Sequence, residues 1–154
     1  MLNPPFGFEK PQDSPGFLLW QTSTLWTRLI KKTLEPHNLS HAQFVILALL
    51  LWFDQNNYDT TQVLISNWSK LDKMTVSKSL KILANRKLIT RTEHTTDTRA
   101  KTVQLTQSGK TLVHALIPII EKIDAEFFNP LQPHDQKTLI QILNQLPPPP
   151  SNIL

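Results

Sequence analysis

A protein segment that reads a nucleic-acid duplex needs two kinds of side chain on one face: short hydrogen-bonding groups that reach base edges, and cations that hold phosphates. Residues 73–81, KMTVSKSLK, supply both. Lys73, Lys78 and Lys81 are spaced to meet groove or backbone, and Thr75 and Ser77 are short enough to approach bases or phosphates closely. Val76, Leu80 and Leu83, at i, i+4 and i+7, form an apolar stripe that turns Met74, Thr75, Ser77, Lys78 and Lys81 outward. A second contact lies in residues 91–101. Arg91, Thr96, Arg99 and Lys101, on and beside a polar tip, suit a minor groove, where narrow A·T-rich stretches concentrate negative potential. Asp97 would be repelled by phosphate; two residues from Arg99 across a tight tip, it is expected to pair with an arginine or cap the turn and so support the tip's shape.

Three lysines on a lone helix would read as a solvated face. Here they stand in a segment, residues 60–110, with ten Lys or Arg against three Asp or Glu, a charge of +7 in a chain whose total is only +4. Such a confined patch is an electrostatic footprint for a polyanion. Within it, residues 60–89 read as two short helices with a tight connection, and residues 89–105 as a β-hairpin with a basic tip, the order of a winged helix-turn-helix.

The elements around that segment are helical. Ser14 followed by Pro15 starts a first helix, with Phe17, Leu18, Trp20, Leu25, Leu29 and Ile30 on a broad apolar face, and Pro36 ends it. Ser40 and Gln43 form a capping box with Leu39 and Phe44 as a hydrophobic staple, and the run FVILALLLWF that follows is apolar on nearly every side, so it is expected to be buried all round. Thr60 or Thr61 caps the third helix and Asp72 the fourth. Thr106 opens a long fifth helix with Leu112, Leu116, Ile119, Ile120, Ile123 and Phe127 on one face, bent at Pro118. A sixth helix spans residues 133–146, and a run of four prolines ends regular structure.

Composition excludes several classes of chemistry. With no cysteine among 154 residues, disulfides, thiolate zinc sites and thiol redox sensing are ruled out. Ser108 and Gly109 do not make a nucleophile elbow, no glycine-rich phosphate loop is present, and the acidic residues are scattered, so no enzyme constellation and no cofactor is expected. His37 and His41 have metal-like spacing but straddle a helix cap, and no metal site is expected. The N-terminus lacks a signal-peptide pattern and no apolar run is long enough to span a bilayer, which points to a soluble, cytoplasmic protein with no membrane partner.

LDKMTVSKSLKIL followed by LITR, DTRAK and LTQSGK resembles the MarR family of bacterial winged helix-turn-helix regulators, and SHAQFVILALL resembles that family's second helix; the resemblance covers roughly residues 15–146. It implies a mainly α fold with a small β-hairpin wing, in which a winged helix-turn-helix (60–107) follows a connecting core helix (40–56) and is flanked by dimerisation helices (15–35 and 108–146). It also implies a homodimer that presents two recognition helices and two wings to double-stranded DNA at a pseudo-palindromic promoter site, as a transcriptional regulator, in the first instance a repressor. By position, Thr75, Ser77 and Lys78 match the family's recognition-helix contacts, Arg99 its wing arginine and Asp97 the supporting acid. The apolar first, second, fifth and sixth helices agree, since they expose more surface than suits a monomer.

Two positions depart from the pattern. Where the family has glycine between the third and fourth helices and just after the fourth, this chain has Lys70 and Lys87, so either the turns differ or left-handed strain on the order of 1 kcal/mol is tolerated at each. Both lysines fall near the expected DNA side. Family members bind small aromatic or phenolic effectors where the dimer helices meet the winged domain, and Trp20, Trp26, Phe44, Trp52 and Trp68 are the candidates to line such a pocket, although aromatics at helical spacing are more often core. The competing reading is a winged-helix module that binds RNA or a protein partner through its basic face without a specific operator.

Overall fold

The polar residues that precede each apolar run act as helix caps and set the element boundaries. The computed structural model describes residues 4–93 and 101–147, with backbone alone for Glu93 and Lys101. After a 3-10 turn at Pro11–Asp13, Ser14 Oγ accepts from Phe17 N at 3.2 Å and opens α1 (Pro15–Leu34). A second 3-10 turn, Glu35–His37, leads to α2 (His41–Gln55), where Ser40 and Gln43 each accept the other's backbone N–H at 3.1 Å. This reciprocal capping box satisfies two N–H groups that the helix itself leaves free. Thr61 caps α3 (Gln62–Ser69), Asp72 caps α4 (Lys73–Asn85), and Thr106 caps α5 (Gln107–Phe128) after the strands β1 (Ile89–Glu93) and β2 (Lys101–Leu105). The last helix, α6 (Pro133–Leu143), starts on a proline, whose missing N–H costs nothing there.

The helices stop without glycine. Asn38, Asn57, Lys70 and Lys87 take left-handed backbone conformations with φ of 53°, 59°, 60° and 59°. After α4, Leu88 N donates to Leu83 O and Lys87 N to Ala84 O, both at 3.0 Å, the paired bonds of a Schellman motif with Lys87 as its left-handed residue. The end of α2 repeats the pattern, with Tyr58 N donating to Phe53 O at 2.9 Å and Asn57 N to Asp54 O at 3.3 Å. The end of α3 is simpler, a single bond from Lys70 N to Ser66 O at 3.0 Å. Asparagine visits this region readily and lysine does not, so the two turns accept strain of about 1 kcal/mol each rather than changing shape.

The core forms around α2, which packs against α1, α3, α4, α5 and β2. Ile46, Leu47 and Phe53 of α2 are fully buried, and Ile65, Val76, Leu80, Leu83, Val113 and Leu116 close around them. Burial of α2 is not complete on all sides, because Trp52 is 42% exposed. The expected α1 face divides: Ile30 is buried, whereas Phe17, Leu18, Trp20, Leu25 and Leu29 face outward. On α5, Val113 joins Leu116 and Ile120 inside while Ile119 is exposed, and Pro118 is held within one continuous helix. No residue of α6 is buried.

The strands pair antiparallel, with Ile89 opposite Leu105, Arg91 opposite Val103, and Glu93 opposite Lys101. A bond from Val103 N to Thr60 O, 2.9 Å, adds a short third edge just before α3. Thr106 then fastens three elements: its N donates to Leu88 O at 3.0 Å, its hydroxyl donates to Lys87 O at 2.7 Å, and the same oxygen accepts from Gly109 N at 3.1 Å. Gly109 sits so close that a Cβ there would overlap the Leu88 carbonyl oxygen and lie 3.2 Å from Leu105 Cδ2. Both neighbours are held, one by backbone bonds and one by packing. Gly109→Ala is therefore expected to destabilise the fold by about 2 kcal/mol and lower Tm by about 4–8 °C. A thermal melt that superimposes on the wild type would show that the α4–β1 junction yields freely.

Candidate nucleic-acid interface

The helix-turn-helix is fixed from inside its turn. Lys70, Leu71 and Asp72 connect α3 to α4; Ser66 Oγ donates to Leu71 O at 3.0 Å and Leu71 N donates to Ser69 Oγ at 3.2 Å. Asp72 accepts from Thr75 N at 2.7 Å and from the Thr75 hydroxyl at 2.9 Å. The backbone bond from Thr75, with the hydroxyl bond second, holds the Asp72 carboxyl below its ordinary value. The Thr75 proton is thus engaged in the cap, and that side chain is only partly exposed. Val76, Ser79, Leu80 and Leu83 face the core, while Lys73, Ser77, Lys78 and Lys81 stand outward in solvent. Met74 stands with them, 81% exposed. The spacing 74, 77, 78, 81 is one helical stripe, outward as the apolar stripe of α4 predicts, although Met74 carried no assigned role in the sequence.

The ten cations of residues 60–110 separate into different duties. Arg86 donates to Asn38 O at 2.6 Å and to His37 O at 3.2 Å, tying the end of α4 to the α1–α2 connection. Lys110 pairs with Asp54 at 3.1 Å. Arg91, expected beside the wing tip, lies on the inward face of the hairpin opposite Val103; its Nη2 reaches Gln62 Oε1 of α3 at 3.4 Å, and its Nε is buried with no hydrogen-bond partner among the described residues. It thus stands on the strand flanking the tip, with its guanidinium between the wing and α3. Lys87 is exposed at the far end of α4. Thr96, Asp97 and Arg99 lie outside the described residues, as does the side chain of Lys101.

This arrangement has known counterparts. The family model for the ArnR1-like winged-helix domain matches residues 35–123. The chain belongs to this family. It is also 36% identical over 121 residues, 79% of this chain and 82% of the other, to the uncharacterized HTH-type transcriptional regulator YdcH of Bacillus subtilis. Among solved structures, it resembles BpsR of Bordetella bronchiseptica, whose DNA binding is regulated by 6-hydroxynicotinic acid, at TM-score 0.81 and 25% identity over 91% of this chain and 97% of that one. It resembles S. aureus MepR, solved as a DNA complex, at TM-score 0.78 and 26% identity over 86% of this chain and 96% of that one. The protein is a transcriptional regulator of the MarR type, as the sequence resemblance implied. No helix among the described residues is long and apolar enough to cross a membrane.

In this MarR-type fold the five aromatic candidates for an effector pocket do not come together. Phe44 is in the core at 7% exposure, and Trp20 stands on the outer face of α1 beside Phe127. Trp52 and Trp68 stack at 5.2 Å and with Phe53 and Tyr58 form an aromatic cluster that joins the end of α2 to α3. Rings filling each other's contact distance make packing rather than a cavity. Trp26 belongs to a fourth place: its indole N–H donates to Asp124 Oδ1 at 2.6 Å and its ring meets His41 edge-on at 5.0 Å, joining α1, α5 and α2.

Burial holds the His41 imidazole below its ordinary value of 6.5, and the Asp124 carboxylate opposes that shift only in part. Between the folded and unfolded values the unfolded chain binds the proton and the folded chain does not, so stability falls as pH drops below about 6.5 and levels off once pH is below the folded value. Urea unfolding at pH 7.5 and 5.5 is expected to show a loss in the wild type that His41→Gln largely removes. Equal losses in the two proteins would assign the pH dependence elsewhere.

Proposed function

We propose that the protein is a dimeric repressor that occupies an inverted-repeat promoter site, each subunit laying α4 in the major groove and its wing along the minor groove, with release by a small organic effector. The observation that carries this reading is the outward face of α4: Lys73, Ser77, Lys78 and Lys81 on one side of a helix whose other side is locked into the core. Cations there hold phosphates and the first turn meets base edges. Dimerisation is supported by apolar surface that one chain leaves open on α1 and near α6, including Trp20 at 69%, Ile140 at 60% and Leu146 at 68% exposure. A second copy covering these faces would place two α4 helices about one turn of duplex, 10–10.5 bp, apart. Control by an effector is supported by the likeness to BpsR, whose DNA binding 6-hydroxynicotinic acid regulates. Such a regulator works in the bacterial cytoplasm.

Selection of duplexes from a random library by the full chain is expected to return one palindromic sequence that survives competitor DNA; salt-dependent binding without selection would favour the RNA- or protein-binding module instead. On the selected duplex, Lys78→Ala is expected to weaken binding about tenfold, and Arg99→Ala to relax preference at the A·T-rich flanks. Unchanged binding in both would remove the groove-and-wing arrangement. Lys87 separates strain from charge. Lys87→Gly relieves the left-handed strain and is expected to raise Tm by about 2–4 °C, while lowering affinity and reducing the salt slope by about one per subunit. Lys87→Ala should lower affinity equally without the gain in Tm, and an unaltered salt slope in both variants would mean that Lys87 makes no phosphate contact.

A further inference from the structure

We infer that Met74 reads thymine: its side chain packs on the C5-methyl group of a thymine in the major groove and helps determine which duplex the protein selects. The inference rests on α4 as the groove-entering helix and deepens that reading. Met74 is 81% exposed, more than any other large hydrophobic residue among the described residues. Single exposed hydrophobes are common, so exposure alone decides nothing. Position decides it.

Met74 is the second residue of α4 and the first of the stripe Met74, Ser77, Lys78, Lys81, directly opposite the buried Val76, Leu80 and Leu83. At about 100° per residue it lies within roughly 20° of Lys81 around the axis and about 10 Å from it along the axis, so it shares the cationic face but occupies the opposite end. Helical side chains lean toward the helix N-terminus. Met74 therefore overhangs the first turn, the part of a groove-bound helix that meets base edges. Next to it, the Thr75 hydroxyl is drawn back to Asp72 at 2.9 Å, so at this end of the helix an apolar group projects beyond the polar one.

Among the base edges in the major groove, the thymine methyl is the apolar feature, and a flexible, polarisable thioether adapts to it. Covering one methyl group corresponds to about a fourfold change in affinity. The same contact cannot distinguish adenine from guanine. Met74 would thus add selectivity at a thymine while Ser77 and the lysines act on polar edges and phosphates.

The test uses the full chain and a duplex it selects from a random library, with each thymine replaced in turn by deoxyuridine, which lacks only the methyl. At one thymine per half-site the replacement is expected to weaken wild-type binding about fourfold per half-site and to leave Met74→Ala unaffected, that variant already binding the unmodified duplex more weakly by the same factor. Its thermal melt should match the wild type, since the side chain is exposed. If deoxyuridine weakens both proteins equally, or the wild type nowhere, Met74 does not read thymine, and a continued loss in Lys78→Ala would leave α4 in the groove. If neither Met74→Ala nor Lys78→Ala changes binding, α4 is not the groove helix and both readings fall.

Discussion

The backbone of Lys87 and Leu88 is where the structure is tied together. The Schellman bonds that end α4 give Leu88 its direction, and Leu88 O then accepts from Thr106 N while Lys87 O accepts from the Thr106 hydroxyl. Thr106 is at once the end of the hairpin and the cap of α5, and Gly109 is the residue that lets α5 come within contact of Leu88. Helix α4, the wing and the longest helix thus share one small set of backbone hydrogen bonds. A rigid-body displacement of α5 that preserved those bonds would carry the end of α4 and the root of the wing with it. The mechanical route from the helices that flank the winged domain to its outer face is therefore short.

That junction depends on a residue in an unfavourable conformation. A left-handed lysine is tolerated at 87 because the bonds on both sides over-determine it: its N–H, its carbonyl and the following N–H are all engaged, and Leu88 is buried. Asn38 and Asn57 solve the same problem with a residue suited to it. The chain therefore ends four helical segments with long or polar side chains where glycine would be easier, which places two ammonium groups, those of Lys70 and Lys87, at the turns on either side of α4.

Much of this was legible in the amino-acid sequence because it is local. Ser14, Ser40, Thr61, Asp72 and Thr106 are caps that act over three residues, and the Val76, Leu80, Leu83 stripe fixes which side of α4 faces inward. What was not legible depends on residues far apart in the chain. Arg86 donates to carbonyls about fifty positions upstream, and Trp26 finds Asp124 across 98 positions. Arg91 shares the inward side of β1 with the buried Ile89 and there reaches Gln62, 29 positions upstream. The aromatic candidates scatter for the same reason: Trp52 of α2 and Trp68 of α3 meet only through tertiary packing, which also brings Phe53 and Tyr58 into their cluster.

The charge of residues 60–110 is the clearest case of a sum that hides its parts. Net charge measures attraction to a polyanion at a distance, whereas contact requires cations that are not already held. Arg86 and Lys110 are held by carbonyls and by Asp54, and Arg91 is turned toward α3. Arg86 and Arg91, held by neutral groups, still add to the long-range field, whereas at a distance the charge of Lys110 is largely cancelled by Asp54. The close-range face is smaller and more structured: lysines at 73, 78 and 81 around an uncharged patch of Met74 and Ser77. In the proposed docking, cation contacts to phosphate are the same on any duplex, so discrimination along α4 would rest on the groups that meet base edges, and the most prominent uncharged one there is apolar.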